Sequence, residues 1–273
     1  MAEFTLKPIG YFKGSHLNKS AVPRQGYLSQ QKGYIQFEKG FDAQSALKGL
    51  EKMSHLWLIF SFHQNENHPV KPLVRPPRKP EIQVGIWASR SPYRPNHLGL
   101  TLASIEKIKD SKLYLTHVDL LDGTPIFDIK PYVTESDCPQ NPQLGWIDQI
   151  EKWKYFPSPY FAEQTQWLSE NGVSEIQDVL ESQFGTPPLQ FKRKRIAPFS
   201  ESQLAFPNLR KVSQENLYVL SYRTWRILAR IESDKKRSYL LRLTTGYSPA
   251  ELLSDKDPFQ DKKFHRLFIE KFF

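Results

Sequence analysis

The stretch Ile82-Gln83-Val84-Gly85-Ile86-Trp87-Ala88-Ser89-Arg90-Ser91-Pro92-Tyr93-Arg94-Pro95-Asn96-His97-Leu98-Gly99-Leu100 joins two different signals without a break. Ile82, Val84, Ile86 and Ala88 alternate with Gln83, Gly85, Trp87 and Ser89. A period of two predicts a β-strand with one buried face. Pro92 and Pro95 then end any ladder and leave Arg90, Arg94, Asn96 and His97 on a stiff polar loop. A stiff loop at a strand end is where binding residues are usually presented, although a plain strand-to-strand turn with surface arginines fits the same composition.

Outward from this stretch, further strand-like runs appear. Leu56-Trp57-Leu58-Ile59-Phe60 continues through Ser61 and Phe62 to His63-Gln64. Leu113 and Leu115, followed by Val118–Leu121, predict another strand ending at Asp122-Gly123, and Tyr34–Phe37 is a weaker one. Asp42 can cap a short helix that buries Ala46, Leu47 and Leu50. The segment from Pro69 to Pro80 carries five prolines, so it is an extended connection bearing Lys71, Arg75, Arg78 and Lys79. The chain changes character after Trp153. Ser158 and Pro159 suit the start of a helix that stops at Gly172, and Ser174 opens a second with Ile176, Val179, Leu180 and Phe184 inward. Strand-like runs Leu217–Ile231 and Tyr239–Thr245 follow. The expectation is a mainly β domain over 1–157 and a smaller α+β domain, with a helical hairpin, over 158–273.

Composition narrows the classes of function. The chain has 273 residues and a net charge of +9, the excess being spread over both halves. Such a balance suits a polyanionic partner such as nucleic acid, or solubility alone. No run approaches the roughly 20 apolar residues of a membrane span, and the N-terminal MAEFTLKPIG has no apolar signal core, so a cytoplasmic protein is expected. One cysteine, Cys138, excludes an intrachain disulfide and a Cys-rich zinc site. The glycines contain neither G-x-G-x-x-G nor G-x-x-x-x-G-K-[ST], so no Gly-rich phosphate cradle is present. His63 and His68 lack an obvious third ligand, and no metal is expected. Asp119 and Asp122, three apart before Gly123, could share acid–base work or cap a turn. Lys192-Arg193-Lys194-Arg195 cannot all pair locally, so these cations stay solvated or meet phosphates.

Taken together, Pro8-Ile9-Gly10, Val22-Pro23-Arg24-Gln25-Gly26, Ser54-His55-Leu56-Trp57, Phe62-His63-Gln64, Lys71–Arg78, Ala88–Asn96, Asp119–Pro125 and Asp128–Tyr132 resemble the TsaA/TrmO family across about residues 7–146. The long motifs VRPPR, SRSPYRPN and LLDGTP-x-x-DIKPY are specific as a set; the C-terminal part is similar more loosely. The resemblance implies a β-barrel-like N-terminal domain, a homodimer, and S-adenosylmethionine-dependent methylation of N6 in N6-threonylcarbamoyladenosine at position 37, beside the anticodon of certain tRNAs. It also implies cofactor contacts from Arg24, Gln25, Gly26, His63, Gln64, Arg90, Leu100 and Asp119-Leu120-Leu121-Asp122. His63, Asp119 and Asp122 are then the acid–base candidates. Arg75, Arg78, Arg94, Asn96 and Lys192–Arg195 are candidates for holding the tRNA anticodon stem-loop. The main competing reading is a non-catalytic RNA-binding protein.

Overall fold

In a computed structural model of the chain, which describes residues 5–17, 19, 22–23, 25–173, 175–188, 196–200 and 215–273, the polypeptide divides into two units between Ile150 and Glu151. Among the sequence candidates, Arg24, Ser174 and Lys192–Arg195 lie outside the described residues.

The first unit is a closed antiparallel barrel. Its strands are β1 (Gly10–Gly14), β2 (Lys32–Phe37), β3 (His55–Ser61), β6 (Leu98–Lys109), β7 (Lys112–Thr116) and β8 (Pro125–Pro131), in spatial order β1-β2-β7-β6-β3-β8. Alternation fills the interior: Leu56, Leu58 and Phe60 of β3 meet Phe12, Ile35, Leu113, Leu115 and Ile126. Large rings are accommodated by glycines opposite them. A Cβ on Gly99 would fall 2.2 Å from the Phe60 ring, and one on Gly33 would fall 2.3 Å from Phe12. The long β6 closes the barrel by pairing with β3 over Leu98–Ser104 and with β7 over Ser104–Lys109. A bulge between Ile105 and Lys107 gives the bend that this double pairing needs. Asp110 and Ser111, both at φ +52, form the two-residue turn into β7. A short helix, α1 (Ala43–Ala46), starts at Asp42, whose carboxylate accepts from the Ser45 N–H.

Two sequence expectations are corrected here. The alternating run 82–88 is not a barrel strand. Only Val84–Gly85 (β5) is extended, paired with Leu73–Val74 (β4) in a two-stranded ribbon, and Ile86–Ala88 closes as a 3₁₀ turn. The Ile86 N–H donates to the Pro72 carbonyl, and Trp87 stands 81% exposed. Period two reports which side chains can share a face, not whether a neighbouring strand is available, and the proline segment offers only two residues of one. Likewise β7 ends at Thr116, because His117 turns to φ +57. Val118 and Leu120 still fill the barrel. Their carbonyls are satisfied by the buried Gln31 side chain, whose Nε2 donates to Val118 O (3.0 Å) and Leu120 O (2.9 Å). The run is extended and half-buried without being part of a ladder.

After α2 (Thr134–Asp137) the second unit begins. Its sheet has the order β10-β11-β12-β13-β9, from β9 (Lys154–Pro157), β10 (Ile196–Pro198), β11 (Leu217–Tyr222), β12 (Trp225–Glu232) and β13 (Arg237–Thr245). The predicted single run 217–231 is thus a hairpin, turned at Arg223 with φ +50. Helices α3 (Pro159–Glu170) and α4 (Glu175–Phe184) cover one face, with Phe161, Leu168, Ile176, Val179, Leu180 and Phe184 packed on Ile227, Ala229, Leu240 and Leu243. Ser158 caps α3 as its sequence indicates, accepting from the Phe161 N–H at 3.1 Å. Two further helices, α5 (Pro249–Leu253) and α6 (Lys262–Phe272), complete the unit. The division at 150/151 falls ahead of the composition shift because β9 pairs in parallel with β13 and so belongs to the second sheet.

Candidate functional site

Four segments meet around one end of the barrel. The first is the connection from β1 to β2. Its 3₁₀ turn Gly26–Leu28 lies directly on β6 and the end of β7: a Cβ on Gly26 would stand 2.7 Å from His117 O, 2.9 Å from Leu102 O and 3.0 Å from Thr101 Oγ1. Only glycine permits this approach of backbone to backbone. The second is the 3₁₀ turn His63–Asn65 after β3. Lys19 Nζ ties the first connection to it, donating to Gln64 O and Asn65 Oδ1.

The third segment is the loop Ser89–His97. Its own side chains brace it: Ser89 Oγ donates to Ile86 O, and Arg94 Nη1 donates to Ser89 O at 2.9 Å and to Ile86 O at 3.4 Å. Trp146 Nε1 donates to Ala88 O from outside. The loop is joined to the second segment by Phe62 N–H to His97 O (2.7 Å) and by the Tyr93 and His68 rings, 5.2 Å apart. It is joined to the first by Arg90 Nη1, which donates to Gln25 Oε1 at 2.6 Å. The fourth segment, His117–Leu121, presents Asp119, whose Oδ1 accepts from Thr101 Oγ1 at 2.6 Å.

Electrostatics single out Asp119. Burial pushes its carboxyl above the ordinary aspartate value, against the opposing pull of the Thr101 hydroxyl, its own backbone N–H and the Arg90 charge. Among the described residues its hydrogen-bonding side-chain partner is a hydroxyl and no ion pair reaches it. A half-buried anion so placed is stabilised by an incoming cation. The Nδ1 of His97 is buried without a hydrogen-bond partner among the described residues. No group of three His, Cys, Asp or Glu side chains suited to a metal occurs among them either.

The convergence collects Gln25, Gly26, His63, Gln64, Arg90 and Asp119, and sets other candidates apart. Asp122 belongs to a turn: Oδ1 accepts from the Gly14 N–H at 3.1 Å and Oδ2 stands 3.9 Å from Lys13 Nζ. The Leu120 side chain is in the barrel core, so only its backbone can face a ligand, whereas Leu121 O accepts from Thr124. Leu100 lies outward on β6, 58% exposed. Arg94 holds its own loop, and Arg75 Nη1 donates to Pro80 O at 3.0 Å, bracing the proline segment. Arg78 is partly buried and Asn96 exposed. Thr101, Lys19 and Gln31 were not among the sequence candidates. Thr101 sits one residue past the motif that ends at Leu100, on a strand whose alternation marks it only as inward.

The barrel unit that carries this site resembles known proteins. A family model described as the tRNA-methyltransferase O N-terminal domain matches residues 11–138. The chain is 41% identical over 138 residues to a mouse tRNA (adenine(37)-N6)-methyltransferase, covering 50% of this chain and 32% of that protein. It is 40% identical over 139 residues to the protein of the same description from Escherichia coli K12, covering 49% and 59%. Over 144 residues it is 34% identical to a probable S-adenosyl-L-methionine-binding protein of Pyrococcus abyssi, covering 52% and 76%. It thus spans about a third of the mouse relative and under two thirds of the E. coli one. A crystal structure of TrmO from Pseudomonas aeruginosa shares the fold, with a TM-score of 0.55 and 24% identity over 89% of this chain and all of that one.

Proposed function

Given that the chain belongs to the TsaA/TrmO family, we propose that it is an S-adenosylmethionine-dependent methyltransferase acting on N6 of adenosine 37 in tRNA, with N6-threonylcarbamoyladenosine as the acceptor. The observation that carries this reading is the meeting of Gln25, Arg90, Thr101 and Asp119 around a glycine that no other residue can replace.

The residues fit a sulfonium cofactor. Asp119 supplies an anion already drawn out of water. Gln25 and Arg90 supply an amide and a guanidinium suited to a carboxylate or to hydroxyls. Gly26 exposes backbone at close range. When bound, the donor supplies a methyl carbon activated by the sulfonium charge. The chain's own part is to bind, orient and keep water out, which can lower a barrier by several kcal/mol without a strong base. The N6 proton must also leave. Asp119, held by Thr101 beside Arg90 and Gln25, is the candidate to take it. Arg90 spends Nη1 on Gln25 and has further donors with which to read the threonyl carboxylate of the acceptor. His63 lies on the second segment, and no hydrogen bond to another described residue fixes its ring. Asp122, held in its turn, is not part of this chemistry. A cytoplasmic homodimer on the tRNA anticodon stem-loop completes the reading. No helix among the described residues is long and apolar enough to cross a membrane.

The test is mass spectrometry of anticodon-loop nucleosides after incubation of tRNA with the protein and isotope-labelled S-adenosylmethionine. Label on the threonylcarbamoylated nucleoside is expected from the parent, and none after Arg90→Ala, which also weakens cofactor binding because Gln25 loses its partner. Equal methylation of unmodified adenosine would refute carboxylate recognition. No label in any nucleoside would refute the methyltransferase reading.

A further inference from the structure

In the second unit, the face of the sheet turned away from α3 and α4 has its own pattern. Tyr155, Ser238, Leu240, Ala229 and Ile231 point to the helices, so their alternates point the other way. In register across three strands lie Phe156 of β9, Tyr239 of β13 and Arg230 of β12. The neighbouring row holds Lys154, Arg237 and Glu232. The Phe156 and Tyr239 rings are stacked, with centroids 5.5 Å apart at 25°, and the Arg237 guanidinium stands 6.0 Å from the Phe156 centroid. Phe156 is 41% exposed, a high value for a phenylalanine on a folded sheet. β9 is also an edge strand.

The charge around these rings is cationic. β9, the adjoining ends of β12 and β13 and the turn between them carry Lys154, Arg230, Lys235, Lys236 and Arg237, against Glu232 and Asp234, with Glu151 just ahead of β9; Arg226 and Arg242 serve other neighbours. Two of the three carboxylates already have lysine partners, Glu151 with Lys236 at 2.9 Å and Glu232 with Lys235 at 3.1 Å. Parallel rings on a sheet, bordered by guanidinium and ammonium groups, suit π-faces linked by phosphates. An apolar protein partner would leave those cations desolvated.

We propose that Phe156, Tyr239, Arg230 and Arg237 form a stacking platform for an unpaired stretch of the RNA substrate. The choice of RNA rests on the tRNA reading above. Lys154 and Arg237 then meet the backbone phosphates while one or two bases lie on the rings. The platform does not draw on Lys192–Arg195, and it holds RNA by base stacking as well as by charge.

Fluorescence anisotropy of the full chain with an unstructured, labelled ribo-oligonucleotide and with tRNA tests it. Phe156→Ala and Tyr239→Ala are each expected to weaken RNA binding about tenfold, and Phe156→Tyr to retain it. Arg237→Ala should lower the slope of log affinity against log salt by about 0.7. S-adenosylmethionine affinity, read by calorimetry, stays unchanged in all of them. Should the alanine variants fail to fold, charge reversal of the exposed Lys154 and Arg237 takes their place, and unaltered RNA affinity then overturns the platform. Alanine variants that bind RNA like the parent, or that change self-association instead, overturn it also. If the parent methylates tRNA while the variants keep its affinity, the platform alone fails. If the parent methylates nothing yet the variants lose RNA affinity, the methyltransferase reading fails and the platform stands.

Discussion

Replacing Gly26 by alanine tests the central geometric claim, that the first connection is pinned against β6 and β7 so as to hold Gln25 on Arg90. The new Cβ would stand 2.7 Å from His117 O, about 0.7 Å short of the 3.4 Å at which ordinary contact begins, and 2.9 Å from Leu102 O. Both obstacles are backbone oxygens, so no side chain can swing aside. The connection itself must lift. A shift of that size along the bond stretches the Arg90–Gln25 contact from 2.6 Å to about 3.3 Å, the weak end of the hydrogen-bond range. Overpacking of this kind costs about 1–3 kcal/mol, and misplacement of binding groups by somewhat under an ångström costs up to about a hundredfold in a positioned reaction. The expected result is a melting temperature lower by about 2–8 °C and S-adenosylmethionine affinity, measured by calorimetry, reduced at least about tenfold. Gly85, where a Cβ meets nothing within 4 Å, serves as the control and should tolerate alanine at little cost. A Gly26→Ala protein that melts and binds the cofactor like the parent would show that the connection is not seated there, and the grouping of Gln25 with Asp119 would fall with it.

Two further outcomes follow from the carboxylates. Because burial raises the Asp119 pKa, its contribution to stability is full below the ordinary aspartate value and is lost as pH rises through the raised value. A cation bound beside it lowers the pKa again, so S-adenosylmethionine should release protons between the two values, seen as a binding heat that scales with buffer ionisation enthalpy; Asp119→Asn should abolish that dependence, and its survival would remove Asp119 from the site. Asp122→Ala should instead leave cofactor affinity intact and cost about 1–2 kcal/mol of stability, because the Gly14 N–H loses its acceptor; a folded variant with lost affinity would return Asp122 to the site.

How far the sequence spoke depends on what decides each feature. Alternation in Leu56–Phe60 and in Leu113–Leu115 marks residues that do fill the barrel. The same alternation at 82–88 and 118–121 marks partly buried faces outside the barrel ladder, with only Val84–Gly85 paired to two residues of the proline segment, because pairing is a property of the neighbour and not of the run. The twelve-residue β6 went unread since Thr101, Ser104, Glu106, Lys107 and Lys109 break any apolar stripe. It is a strand because β3 and β7 each need an edge there. In the second unit the caps at Ser158 and Gly172 were legible as local chemistry, whereas the turn at Arg223 is made by a residue with no turn preference, in a positive-φ conformation set by the hairpin.

The site shows the same divide more sharply. Arg90 and Asp119 stand out in the sequence on a stiff loop and ahead of a turn, and the family resemblance implies cofactor contacts for both. Their pairings do not. Gln25 meets Arg90 across 65 positions and Thr101 meets Asp119 across 18; the first pairing is held where Gly26 seats its connection against β6, and the second where β6 runs beside the chain leaving β7. Asp122 illustrates the converse. It is three residues from Asp119 and carries the same group, yet its carboxylate serves the Gly14 N–H, because the Leu121–Thr124 turn faces β1 while Asp119 faces β6. Spacing along the chain gave both residues equal standing as acid–base groups. What separates them is water: one carboxylate is drawn out of it beside a hydroxyl and the other remains at the rim of a turn, and that difference in solvation is what the barrel end is built to create.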